Sequence, residues 1–202
     1  MIHEVIIVED SGDAQMCDTL RRMYVRVGLG EADTRVRVLC NQVRLGQMRS
    51  LDRVWAHVTT RWIFHLEDDW LFDGSGGFIQ DSLDIMLDHP LCFQVHVRDR
   101  KSAIHPLHAT LFHSSRREAP YRRLVADWAS AGHRLWQGFS LGPGLRRTEL
   151  VRALGPMEAY GSELLIQAAF ASLGLWAGAL EYGVMDHAGD LDSKRHEWET
   201  SL

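Results

Sequence analysis

Arg61-Trp62-Ile63-Phe64-His65-Leu66-Glu67-Asp68-Asp69-Trp70 is the stretch on which the fold turns, because an apolar run of strand length stops in three consecutive acids. In open α/β sheets ligands bind outside the carboxyl ends of the strands, so carboxylates massed there point to a bound cation. Hard oxygen donors of this kind suit Mg²⁺ or Mn²⁺, which bridge to the phosphates of a nucleotide. In isolation the same acids read better as an acidic turn after a core strand. The pattern on either side favours the first reading.

Upstream, Val5-Ile6-Ile7-Val8 is a β-branched run closed by Glu9-Asp10-Ser11-Gly12-Asp13, where Ser11 or Asp13 is placed to cap a helix. Leu20, Met23, Tyr24 and Val27 follow at helical spacing, and Gly28 and Gly30 end that helix. A second strand, Val36 to Cys40, stops at Asn41, and Leu45, Met48, Leu51, Val54, Trp55 and Val58 then return to helical period. Downstream of the acids, a glycine-rich loop precedes a helix from Phe78 to Leu87, and Leu91 to Val97 reads as a strand. Between Arg98 and Leu135 the pattern degrades, with a helix expected at 122–131. Phe139 to Leu145 reads as strand then turn, helices are expected at 147–154 and 163–173, and a late strand at 176–182 leads into Asp186-His187-Ala188-Gly189. Alternating strands and helices of these lengths predict a mostly parallel central sheet flanked by helices.

The chain has 202 residues, 46% of them hydrophobic, which suits one compact domain. A net charge of -5 gives no global attraction to nucleic acid or anionic membrane, and the pairs Arg116-Arg117, Arg122-Arg123 and Arg146-Arg147 read first as solvated surface. Cys17, Cys40 and Cys92 are odd in number and widely spaced, so reduced core cysteines and a cytoplasmic location are expected. No signal-like leader and no apolar segment of the roughly 18 residues needed for a transmembrane span is seen.

Taken in order, these segments resemble a GT-A glycosyltransferase of the family 2 type. The carriers are Glu4 to Asp13, then Asn41, Gly46, Arg49 and Ala56 ahead of the acidic strand, then Glu67-Asp68-Asp69 as an Asp-x-Asp-like motif. Gly138-Phe139-Ser140-Leu141-Gly142-Pro143-Gly144-Leu145-Arg146-Arg147 is similar to the acceptor-side segment, Glu163 with Gly174 to the Glu-containing helix, and His187-Ala188-Gly189 to the late His-x-Gly. The resemblance implies a single Rossmann-like GT-A domain over 1–202, with 1–97 binding a nucleotide sugar and 98–202 holding acceptor and catalytic groups. Two departures stand out. The usual first strand and helix have no counterpart here, which implies either a shortened start or a partner segment or subunit that supplies them, and Leu164 occupies a position where many members carry an Asp.

The resemblance further implies a metal-dependent, inverting transfer from a nucleoside diphosphate sugar, with Mn²⁺ or Mg²⁺ held by Asp69, Glu67 and His187. Asp68 and Trp70 would face the donor's sugar or ribose. Asp10 would meet the base or else cap a helix, and Arg49 would grip the diphosphate or else lie in solvent. Glu163, or Glu158 in its place, would take the acceptor's proton; the plain alternative for Glu163 is a first-turn acid favoured by the helix dipole. The acceptor is open among saccharide, lipid-linked saccharide, protein and modified nucleic acid. Two other classes compete: a non-catalytic nucleotide-sugar-binding protein, and a two-cation phosphohydrolase or nuclease, which would need Asp186, Asp190 and Asp192 to converge on Asp69.

Overall fold

The computed structural model describes residues 2–27, 34–72, 76–98, 110–124 and 138–188. The chain divides into two compact units, Met1–Arg61 with Gly155–Gly161 and Trp62–Leu154 with Ser162–Leu202. The first two strands form a sheet of their own.

In the first unit β1 (Glu4–Glu9) runs parallel to β2 (Arg35–Cys40), with Glu4 opposite Arg35 and Glu9 opposite Cys40. Asp13 caps α1 (Ala14–Val27), its Oδ1 accepting the Gln15 N–H at 2.7 Å. The glycines expected to end this helix lie outside the described residues. α2 (Gln47–Trp55) buries Ser50, Leu51 and Trp55, and its Asp52 accepts the N–H groups of Met157 (2.7 Å) and Glu158 (3.0 Å), seating a 3₁₀ turn, Met157–Tyr160. Cys17 of α1 and Cys40 of β2 form a disulfide with Cα atoms 6.0 Å apart. This corrects the expectation that both are reduced: a helix packed on its neighbouring strand brings the two within bridging distance, which spacing along the chain does not reveal. Cys92 is the buried free thiol, pushed up to about 12 by its burial.

The second unit is built on a six-stranded sheet. Its strands are β3 (Trp62–His65), β5 (Cys92–His96), β6 (Phe112–His113), β7 (Pro120–Arg123), β8 (Gly144–Arg147) and β9 (Trp176–Leu180), in the order β3-β8-β5-β9-β7-β6. β4 (Trp70–Phe72) and β10 (Met185–His187) form a separate antiparallel ribbon. The architecture is therefore mixed α/β, but the expected mostly parallel sheet is not what forms. β8 lies antiparallel between β3 and β5, β7 lies antiparallel beside β9, and within this sheet only the β5–β9 pairing is parallel. Gly144 of β8 has to be glycine, since a Cβ there would sit 2.6 Å from the Val95 carbonyl oxygen.

One sheet face is apolar. Val95, Val97 and Leu145 pack with Ile85 and Met86 of α3 (Phe78–Asp88). The same helix presents Asp81, Asp84 and Asp88 along one side, three and four residues apart. Asp84, buried, accepts the N–H groups of Arg116 (3.1 Å) and Arg117 (3.0 Å), while Asp88 takes that of Ser115 (2.6 Å), so the helix fixes the β6–β7 turn.

Three local expectations change. Residues 120–123 are strand β7, not the start of a helix at 122–131, whose remainder falls mostly outside the described residues. The strand expected from Phe139 begins only at Gly144, because the carbonyls before it are taken by side chains. Arg146 and Arg147, expected on the surface, are buried: Arg147 donates to the carbonyls of Cys92, Met86 and His89, tying β8 to the end of α3. The expected helices at 147–154 and 163–173 are α4 (Thr148–Leu154) and α5 (Glu163–Ser172).

Candidate functional site

β3 and β5 each run antiparallel to the strand between them, so they point the same way. His65 and His96 sit level across Gly144, and the chain leaves β3 into Leu66-Glu67-Asp68-Asp69 and β5 into Val97-Arg98 at the same edge. The acids then turn into β4, and the β4–β10 ribbon pairs Trp70 with His187. A backbone bond from Ala188 N–H to Asp69 O (2.8 Å) pins the acidic turn to β10.

At this corner His187 Nε2 hydrogen-bonds Asp69 Oδ2 at 3.0 Å, joining residues 118 apart in sequence. Trp70 is the hub. Its Nε1 donates to Glu67 Oε2 (3.3 Å), the His187 ring meets it edge-on at 5.1 Å, and the Arg98 guanidinium lies 5.0 Å from its ring centroid. Asp68 is exposed and has no hydrogen bond among the described residues. Of the expected ligands, Asp69 and His187 come together, whereas Glu67 turns to Trp70; among the described residues no three His, Cys, Asp or Glu side chains form a metal-holding group. The Asp69–His187 pair offers one carboxylate and one imidazole, which hydrogen-bond each other at 3.0 Å; of the ions expected, Mn²⁺ accepts an imidazole beside oxygen donors more readily than Mg²⁺ does.

Beneath the corner the sheet's second face is polar. Gln94, His96 and Arg146 are buried there and hold the loop 138–143 by its backbone: Gln94 Nε2 donates to Ser140 O (2.9 Å), His96 Nε2 to Gly138 O (2.8 Å), and Arg146 Nη2 to Ser140 O (2.5 Å) and Gly142 O (3.0 Å). Gln167 of α5 adds a bond to Phe139 O (2.8 Å), and Glu163 Oε1 accepts the Leu141 N–H at 2.6 Å. A register shift between Cys92 and Gln94 accompanies Phe93 stacking on Phe170 (4.1 Å) and Phe139 (6.3 Å), which closes the layer. Burial lowers the Arg146 guanidinium to about 9, against the opposing pull of Glu67 and Glu163. Burial, and then Arg146, hold His65 well below the usual imidazole range despite its hydrogen bond to the Leu141 backbone.

The loop joins the expected donor and acceptor residues. Leu141 holds Glu163, and the next residue, Gly142, abuts Trp70: a Cβ on Gly142 would lie 3.5 Å from the indole. Glu163 also opens α5, behind the Ser162 cap, so the first-turn reading and the site reading both apply to it. The remaining candidates belong to the first unit and are engaged there. Asp10 accepts from Asn41 Nδ2 (2.7 Å) and from the N–H groups of Leu45 (2.7 Å) and Gly46 (2.8 Å), which makes it a clamp on the loop before α2 rather than a helix cap. Arg49 is ion-paired with Glu158. Asp190 and Asp192 lie outside the described residues. Sequence reading passed over Arg98, Gln94, His96 and Gln167, although Gln94 and His96 interrupt an apolar strand at every second position, the signature of one polar face.

The chain matches no protein-family model and no curated protein sequence.

Proposed function

We propose that the protein is a metal-dependent, inverting glycosyltransferase that moves a sugar from a nucleoside diphosphate to an acceptor hydroxyl. The observation that carries this reading is the Asp69–His187 pair at the sheet edge, with loop 138–143 running from its neighbour Trp70 to Glu163. The resemblance of Glu67-Asp68-Asp69 and His187-Ala188-Gly189 to the family 2 GT-A motifs supports it, as does the mixed α/β fold.

In this reading Asp69 and His187 would hold a divalent cation, and such an ion would supply positive charge against the departing diphosphate. Glu163 holds Oε1 on the Leu141 N–H, and its second oxygen is the one that would take the acceptor's proton. As the acceptor oxygen bonds to the anomeric carbon, the bond from that carbon to the diphosphate oxygen breaks. The hydroxyl proton passes to Glu163 Oε2, and configuration inverts. Trp70, held by Glu67 and abutting Gly142, borders the sugar beside Asp69. Asp68, exposed beside Asp69, faces the donor's hydroxyls.

A second reading, a non-catalytic nucleotide-sugar-binding protein, draws on Leu164, 43% exposed beside Glu163 where a second acid would stand. Nucleoside diphosphate release from UDP-, GDP- and TDP-sugars, with and without Mn²⁺, tests both. Metal-dependent release that is lost in Asp69→Asn and Glu163→Gln, with Glu163→Gln still binding donor, is the expected result. Metal-dependent binding without release would favour the second reading, and no binding of any sugar nucleotide would overturn both.

A further inference from the structure

We propose that Arg98 is the second positive arm of this corner and grips the diphosphate of the bound nucleotide; the proposal rests on the sugar-nucleotide reading above. Three observations converge on it. The direction of β3 and β5 brings Arg98 and the acids out at one edge, each two or more residues beyond the level line of His65, Gly144 and His96. The backbone at this point is anchored, since Val184 N–H donates to Val97 O (2.9 Å) and Arg98 bridges Met185, two residues before His187. The side chain lies over Trp70, the ring that also touches His187 and Glu67.

Charge favours such an arm. Glu67, Asp68 and Asp69 stand together in sequence, and although the buried Arg146 offsets part of the Glu67 charge, a diphosphate brings further negative charge to the corner. A guanidinium is suited to the task because its face stacks on an aromatic ring and its edge donates to phosphate oxygens. Lysine would keep the charge but lose the planar stack and the forked grip. An arginine that only packs on Trp70 would affect every ligand of the corner alike. One that grips a diphosphate distinguishes ligands by their phosphate count.

The test is calorimetric titration of uridine and guanosine diphosphate, and of the matching monophosphates, into wild type, Arg98→Lys and Arg98→Gln, each with Mn²⁺. For whichever base binds, Arg98→Gln is expected to weaken the diphosphate by about 10- to 100-fold, the range of one charge-assisted hydrogen-bonding group. Arg98→Lys is expected to fall between, and the monophosphate to lose less than the diphosphate. Unchanged thermal unfolding of both variants separates this loss from a folding defect. Undiminished diphosphate affinity in Arg98→Gln, or equal losses for mono- and diphosphate, overturns the role of Arg98 while leaving the Asp69–His187 reading standing. If wild type binds neither diphosphate with Mn²⁺, both fall together.

Discussion

Replacing Asp10 with Asn tests whether this acid serves the fold or a ligand. Its carboxylate takes three N–H donors from Asn41, Leu45 and Gly46 across the loop that leads into α2. Asn keeps the shape and one acceptor but turns an NH₂ group toward those donors. A hydrogen bond to a charged group contributes about 1.5–3 kcal/mol; the three share one half-buried group and are not additive, so a total loss of about 2–3 kcal/mol is expected. Burial raises the Asp10 carboxyl, but the donors of Leu45, Asn41, Gly46 and Ser50 outweigh it and leave it below its ordinary value of 3.8. A folded-state value held below the unfolded one makes this stabilisation complete above pH 3.8 and lost as pH falls through the lower folded value. The gap between wild type and Asp10→Asn in urea unfolding is therefore wide at pH 7 and closes in acid. Amide exchange at Leu45 and Gly46 should accelerate in the variant. A stability change under about 0.5 kcal/mol with unaltered exchange, joined to weaker nucleotide binding, would refute the clamp and restore Asp10 as a base contact.

Two further outcomes follow from the packing. Asp84→Ala strips two backbone N–H groups of their buried acceptor at the β6–β7 turn and should cost about 2–4 kcal/mol in denaturant unfolding; a loss near zero would mean that water replaces the carboxylate without penalty. Reduction of Cys17–Cys40, which closes a loop of sequence separation 23, should lower the stability of the first unit by about 3 kcal/mol, read as a dithiothreitol-dependent shift that is absent in the Cys17→Ser variant.

The acidic strand end, the helices from Phe78 and Glu163, and the late strand could be read from the chain because each depends on local periodicity and turn chemistry. Strand direction could not. A short antiparallel strand such as Gly144–Arg147 and a parallel one carry the same alternation, and which neighbours it inserts between is decided by contacts distant in sequence. The site shows the same divide. Asp69 and His187 were singled out from their motifs, and the fold sets their side chains next to each other. The contact of Glu67 with the Trp70 indole could not be read from the sequence, because the N–H that meets its carboxylate comes from the turn into β4. Arg146 was misread because an arginine pair looks the same in solvent and in a core; the loop carbonyls of Ser140 and Gly142, with Glu67 and Glu163 nearby, help house the charge.

The wedge of β8 between β3 and β5 has a metric consequence. Adjacent strands lie about 4.8 Å apart, so the two chain exits that bear the acids and Arg98 stand about 10 Å from each other. Backbone hydrogen bonds fix that interval, whatever side chains occupy it. Substitutions at either exit can change what is grasped and how firmly, while the width of the opening stays constant.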